Sequence, residues 1–217
     1  MTRAVRVDMF GVEPGRGSAL DVLPPEAGQP ATATEAAAHA RRTDADETAL
    51  VTSVSGRTFS SRIFNAHGET PFGTHSLAGV AACLVRTGAL APGAVARTSP
   101  AGDQRLWTDG HHVRVPFDGP AIHDEIDVAA ELLRGYAGRA YAVGVGRRFT
   151  LVRVEEDPTT LPAPDLDRMR QLGITDLTLY HWEPTDRRVT ARVFAPGFGI
   201  PEDAGCLPAA AALGLAA

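Results

Sequence analysis

The sequence predicts an α+β chain of two similar lobes, and three observations carry that prediction. Runs of strand-like apolar/polar alternation are interleaved with alanine-rich runs of helical period. A strand-end motif occurs twice, as Arg62-Ile-Phe-Asn-Ala-His-Gly68 and Arg192-Val-Phe-Ala-Pro-Gly-Phe-Gly199, each followed by a polar loop and an alanine-rich helix. Two copies of strand, loop and helix predict duplicated lobes. The pattern breaks at Pro116 to Pro120, which divides the chain into an N-terminal lobe, 1–117, and a C-terminal lobe, 118–217.

Each element follows from local chemistry. Residues 4–10 alternate as a strand, and residues 11–17, with Pro14, supply a turn. A second strand is expected over 19–23. The run 32–42 reads as a helix with Thr32 or Thr34 at its N-cap. Residues 48–54 and 62–65 are β-rich. Residues 76–87 form an amphipathic helix that Ser76 can cap and Gly88 stops. Asp109-Gly110 predicts a hairpin between strands at 105–108 and 111–115. In the second lobe, 127–136 reads as a helix, 140–154 as paired strands, and 164–172 as a helix capped by Asp165 or a neighbour. Strands are expected at 177–182 and 188–194. A last helix covers 208–215, with Pro208 in its favoured first turn.

Composition excludes several chemistries. All 21 basic residues are arginine, so Schiff-base formation, pyridoxal-phosphate attachment and a Walker-type phosphate loop lack their lysine. The net charge is −5 with arginines dispersed, and no basic stripe marks a nucleic-acid surface. No apolar run is long enough to span a bilayer, and the first residues lack a signal-peptide core, so a cytoplasmic location is expected. Cys83 and Cys206 form no C-x-x-C pair, and His67, His111, His112 and His123 lack metal-ligand spacing. Neither a metal nor a cofactor is expected. Cys83, between alanine and leucine on a helix, reads as a core residue.

Three segments concentrate the placed ionisable groups: Asp44 to Thr48, Glu69 to Ser76, and Pro201 to Pro208. The last two lead into helices. A helix N-terminus carries unpaired N–H groups and partial positive charge, and it receives carboxylates well. Two such ends facing each other, with a glutamate and a histidine at hand, make a site that moves a proton on a small acid.

These segments resemble the PhzF family of phenazine-biosynthesis-type isomerases. The family signature F-T-P-x-x-E-L-P-F-A-G-H-P is matched without a gap by F-N-A-H-G-E-T-P-F-G-T-H-S, from Phe64 to Ser76, at Phe64, Glu69, Pro71, Phe72 and His75. Asp46-Glu47-Thr48 resembles the family's S-E-T. Val7 to Phe10 with Gly17 to Leu20 resembles the opening V-D-V-F … G-N-P-L. Phe194 to Asp203 resembles F-A-P … G-I-x-E-D. The resemblance covers nearly the whole chain in order. It implies a diaminopimelate-epimerase-like α+β fold, two pseudo-symmetric lobes each wrapping a mixed sheet around a central helix. It also implies cofactor- and metal-free, homodimeric proteins whose best-known activity is a hydrogen shift on a dihydro-anthranilate-type acid. Glu47 matches the catalytic acid/base, and His75 and Asp203 match residues that assist proton movement. Ser18, Gly73, Thr74, Ser76, Gly205 and Cys206 fall at substrate-binding positions.

The sequence departs from the family pattern in places. The third segment usually runs E-D-P-A-T-G-S-A, but Glu202-Asp203 are followed here by Ala-Gly-Cys-Leu-Pro-Ala. Leu207 and Pro208 replace the Gly and Ser of the anion pocket, and proline has no N–H to donate. The second lobe is expected to be shortened, because family members continue past its last helix. Cys206 aligns with the cysteine of a C-G-T-G motif in amino-acid epimerases of the same fold, although no partner cysteine stands near Gly73. A helix N-terminus lowers a thiol's pKa. The alternatives to a PhzF-like isomerase are therefore a thiol-dependent epimerase or hydrolase using Cys206, and a non-catalytic relative that binds small acids.

Overall fold

The computed structural model describes residues 3–11, 13, 15, 17–25, 31–70, 73–98, 102–128 and 132–216. The chain forms two compact units, Met1–Pro116 and Phe117–Ala217.

In the first unit, β1 (Val5–Met9) and β2 (Ser18–Leu23) form an antiparallel hairpin. Its turn is pinned by Asp8, which accepts from the Gly17 amide at 3.0 Å. A parallel neighbour needs a crossover, and α1 (Ala33–Ala40) supplies it before β3 (Glu47–Ser55). Thr32 caps α1 in a capping box with Glu35, as the local sequence predicts. Next come β4 (Thr58–Asn65) and the short β5 (Gly68–Thr70), both antiparallel additions, and then α2 (Thr74–Arg86). The sheet continues with β6 (Gly93–Arg97), β7 (Gln104–Thr108) and β8 (Val113–Arg114), in the order β1-β2-β3-β4-β6-β7-β8 with β5 on β4.

Residues 47–51 of β3 are buried without interruption because helices cover both faces. Ala49 and Val51 face α2, packing with Leu77, Val80, Ala81 and Leu84. Leu50 faces the other way, with Ala36 and Ala40 of α1. Each fully buried leucine contributes about 1.5–3 kcal/mol. Gly79 lets α2 settle on the β1–β2 hairpin, since a Cβ there would meet Leu20 Cδ2 at 2.7 Å and the Met9 sulfur.

The second unit repeats this plan. Strand β9 (Ala121–Glu125) edges a sheet in which β10 (Gly138–Val145) and β11 (Phe149–Val154) form a hairpin. Helix α3 (Leu166–Gln171), N-capped by Asp165, crosses to β12 (Leu177–Glu183), parallel to β11. Strands β13 (Arg188–Ala195) and β14 (Ile200–Asp203) add antiparallel, and α4 (Leu207–Ala216) follows. The sheet order is β14-β13-β12-β11-β10-β9.

The two mixed sheets share hairpin, crossover helix, hairpin, short third strand and final helix, and their registers superpose. Thr48 pairs with Phe64 in the first unit, and Leu177 with Phe194 in the second. Matching Phe64 with Phe194 equates Glu47 with Asp176. The parallel registers, Leu20 with Glu47 and Leu151 with Thr178, then equate Ser18 with Arg147. An ion pair repeats too. Arg62 grips Glu69 with Nε and Nη2 at 2.7 and 2.6 Å and lies over Phe64. Arg192 grips Glu202 at 2.7 and 2.9 Å and lies over Phe194.

Some local expectations fail. The helix read over 127–136 is absent among the described residues of that span, and residues 129–131 lie outside the description. A turn takes its place: Leu132 and Tyr136 pack into the α3-side core, Gly135 has φ 102°, and the Tyr136 hydroxyl donates to Pro162 O at 2.7 Å. Tertiary anchoring overrides helix propensity there. Helix α2 starts at Thr74, so Ser76 does not cap it. The turn residue Pro14 and the motif residues Pro71 and Phe72 lie outside the described residues.

Candidate active site

Glu47 opens β3 and shares the parity of Ala49 and Val51, so its side chain faces α2. It is 4% exposed. The Ser76 hydroxyl donates to Glu47 Oε2, and His75 Nε2 lies 3.0 Å from the same oxygen. Both partners stand in the first turn of α2, and both are buried. Ser76 thus spends its hydroxyl on a partner 29 residues away rather than on a local cap.

The N-cap of α2 is Gly73, which has no side chain to bind the first amides. The Leu77 amide returns to Gly73 O at 2.7 Å. A Cβ at Gly73 would meet Ile63 Cγ1 at 3.2 Å and Ser76 Cβ at 3.4 Å. Ile63 would have to give by a few tenths of an ångström, and the new methyl would rest against Ser76, the residue that holds Glu47. Thr74 opens the helix, half-buried. An opening turn with a glycine cap is a ready receiver of negative charge.

Ser18 is buried, and its hydroxyl donates to Asp46 Oδ2 at 2.9 Å. The Ala19 amide reaches the same oxygen at 3.0 Å, and the Asp46 amide returns to Ala19 O at 2.9 Å. These bonds fix the backbone immediately before Glu47. Ser18 therefore acts on the cluster through Asp46.

In the second unit, Asp203 ends β14 and accepts from the Gly205 amide at 2.9 Å. Gly205 is buried, and Cys206 precedes the first residue of α4, its carbonyl accepting from the Ala210 amide at 3.0 Å. The expectation of an acidified thiol is reversed. Burial, with the charge of Asp203 behind it, pushes the Cys206 thiol up to about 12, and the opposing bond from the Ala209 amide is outweighed. A thiol in that state is a poor nucleophile at neutral pH.

The structure thus brings Glu47, His75, Ser76, Gly73, Thr74 and Ser18 together in the first unit, and Asp203, Gly205 and Cys206 together in the second. Asp176 and Arg147, which the motifs do not mark, stand in the second unit where Glu47 and Ser18 stand in the first. Among the described residues, no three His, Cys, Asp or Glu side chains group as metal ligands. Among the same residues, no helix is long and apolar enough to cross a membrane.

No curated protein matches this chain. Among solved structures it is similar to a phenazine biosynthesis protein of the PhzF family from Enterococcus faecalis. The TM-score is 0.77 at 20% identity, over 97% of this chain and 79% of that one. It is also similar to the PhzF-family protein of Bacillus anthracis, with a TM-score of 0.79 at 16% identity, over 97% and 78%. At these identities the likeness concerns the fold. The family model for phenazine biosynthesis-like proteins, PhzC-PhzF, matches residues 7–215. With that match over nearly its whole length and the diaminopimelate-epimerase-like α+β plan of its two units, the chain belongs to the phenazine biosynthesis-like (PhzC-PhzF) family.

Proposed function

We propose that this protein is an isomerase that moves a proton, and with it a double bond, in a small unsaturated or cyclic carboxylic acid. The observation that carries this reading is the buried Glu47 carboxylate, held by Ser76 and His75 at the first turn of α2. Both contacts fall on Oε2, which leaves Oε1 to take a proton from substrate carbon. Glu47 then returns that proton to another carbon, acting in turn as base and acid. The Ser76 hydroxyl and His75 Nε2–H steady the charge while the carboxylate is unprotonated. His75 also passes protons to and from Glu47. Backbone amides at Gly73 and Thr74 attract the substrate's negative charge. Asp203, Gly205 and Cys206 are assigned to substrate on the family resemblance.

Family membership supports the isomerase class, and the raised Cys206 thiol weighs against the thiol-dependent alternative. The same reading takes the protein to be a cytoplasmic homodimer serving specialised metabolite biosynthesis. Sedimentation and metabolite profiling of a deletion strain check those parts. The central test is incubation in heavy water with a panel of unsaturated cyclic carboxylic acids, read by mass spectrometry. Glu47-dependent deuterium uptake is expected. Uptake by no acid, from a folded sample, would leave a protein that binds small acids without turning them over.

A further inference from the structure

We propose that the second unit holds a carboxylate-binding site built on Arg147. The inference rests on the reading that this protein acts on small carboxylic acids, and it identifies a residue that receives such an acid.

The register superposition puts Arg147 and Asp176 where Ser18 and Glu47 stand in the first unit. Contacts give the direction. Phe149, Leu151 and Tyr180 all pack in the α4-side core, Asp176 shares the parity of Thr178 and Tyr180, and Arg147, in the bend before β11, lies over the Phe149 ring and donates to Asp176. Both side chains therefore point to the face that carries α4, as Glu47 points to α2. The charge of Asp176 also reaches the Cys206 thiol, immediately before α4.

The guanidinium of Arg147 is preorganised. Its Nη2 donates to Asp176 Oδ2 at 2.9 Å. Its Cζ lies over two phenyl rings, 4.7 Å from the centre of Phe149 and 4.6 Å from that of Phe198. Yet the Arg147 side chain is 44% exposed while Asp176 is 4% exposed. The buried acid holds the inner edge of the fork and leaves an outer edge in water, the geometry that suits a bidentate carboxylate. Asp176 is itself held in place, accepting from the Thr150 amide at 3.1 Å and the Thr175 hydroxyl at 2.8 Å, so the guanidinium it bonds is fixed in turn. The Arg62 brace is also ion-paired, stacked and half exposed, but its glutamate is 44% exposed; at Arg147 the acid is buried and a second ring, Phe198, adds to the first.

The site also answers a deficit. Equivalence along the third strand and into the helix equates His75 with Pro208. The start of α4 thus has a proline, with no N–H, where α2 has a histidine. A side-chain cation on the same face replaces the lost donor. The neighbour Arg148 points away and meets Asp124 at 3.6 Å, which makes it a control of equal charge.

The test follows the arginine guanidinium N–H signals by nitrogen-15 NMR in the full chain, titrated with anthranilate, anthranilamide and the acids of the exchange panel. Loss of one signal in R147K assigns Arg147. A saturable shift of that signal with anthranilate or a panel acid, and none with the neutral amide, is expected. R147Q should weaken acid binding about 10- to 100-fold, the value of a charge-assisted bidentate contact, and R148Q less than about threefold. R147K keeps the charge without the fork and should fall between. An Arg147 signal silent to every acid, or one that answers acid and amide alike, overturns the site. So does an R148Q effect as large as that of R147Q. Deuterium exchange is read in parallel. Exchange with a silent Arg147 sinks the site alone, whereas a carboxylate-selective Arg147 without exchange sinks the isomerase reading alone.

Discussion

Replacing Glu47 by glutamine removes one proton-active group and little else. Glutamine has the same length, and its carbonyl oxygen can still accept from the Ser76 hydroxyl and from His75 Nε2, now 3.0 Å from the carboxylate. Two charge-assisted bonds at about 1.5–3 kcal/mol each become neutral bonds at about 1 kcal/mol each. Part of that loss is recovered because a charge no longer has to be buried in a site 4% exposed. The net cost to folding is about 1–3 kcal/mol. At about 2–4 °C per kcal/mol for a chain of this size, melting falls by no more than about 12 °C. The chemistry loses far more. An amide cannot accept a proton from carbon, and general acid/base catalysis contributes at least about 100-fold, or about 2.7 kcal/mol of barrier. The assay is the initial rate of deuterium incorporation into the substrate acid, compared at a temperature where both proteins are folded by near-ultraviolet circular dichroism. Glu47→Asp pulls the carboxylate back by about one methylene and should fall between wild type and glutamine. A folded Glu47→Gln protein that exchanges at the wild-type rate would remove Glu47 from the reaction.

Three other expectations follow from the same geometry. Ser76→Ala removes the hydroxyl that positions Glu47 and should lower kcat about tenfold with KM nearly unchanged; a change confined to KM would assign Ser76 to binding instead. Cys206→Ser should keep activity, and alkylation of Cys206 should be slow at pH 7 and climb through pH 9–10, because burial pushes the thiol up to about 12; rapid alkylation that levels off below pH 8 contradicts that burial. Asp21 is buried, and although burial raises its carboxyl, hydrogen bonds from Arg6, Thr43 and His39 outweigh it and hold it below the usual range. A depressed carboxyl contributes stability above its unfolded pKa of about 3.9 and loses it as pH falls through the folded value. The gap in urea midpoint between wild type and Asp21→Asn, about 1–3 kcal/mol in stability, should hold from pH 7 to about 5 and close below about 4.

Much of this fold is legible along the chain where local chemistry and tertiary need agree. Thr32 and Glu35 announce α1, and the structure contains their capping box. Asp109-Gly110 announces a hairpin, and β7 and β8 flank it. The short strands β5, β6, β9 and β14 escape because three to five residues, several of them exposed, carry too little alternation to be recognised. The stretch 127–136 misleads in the other direction. It has the alanine and leucine of a helix, but Leu132 and Tyr136 reach the core from a turn. At the candidate site, Glu47, His75 and Ser76 are legible only as members of a motif. Sequence spacing says nothing of a hydroxyl meeting a carboxylate 29 residues earlier. That contact depends on the parity of β3 and the docking of α2. Ser76 in particular reads locally as a cap, the commonest use of serine before a helix, and only its buried partner reveals the other use.

The duplicated frame explains why the two halves can differ so sharply at equivalent places. In each unit an arginine two residues before a phenylalanine grips a glutamate on the next strand, and this brace lies on the sheet face opposite the final helix. The brace sets the short third strand, and that strand sets where the helix begins. With the approach to the helix fixed in this way, residues on the helix side are free to change without loss of the fold. The first unit has Ser18, Glu47 and His75 there, a set built around one proton-active carboxylate. The second has Arg147, Asp176 and Pro208, in which the carboxylate is spent on orienting a cation. Arginine keeps its charge and does not serve as a general acid or base at neutral pH. On the proposed reading the first set moves a proton and the second holds an anion, two uses of one duplicated frame that differ only in the residues on its helix side.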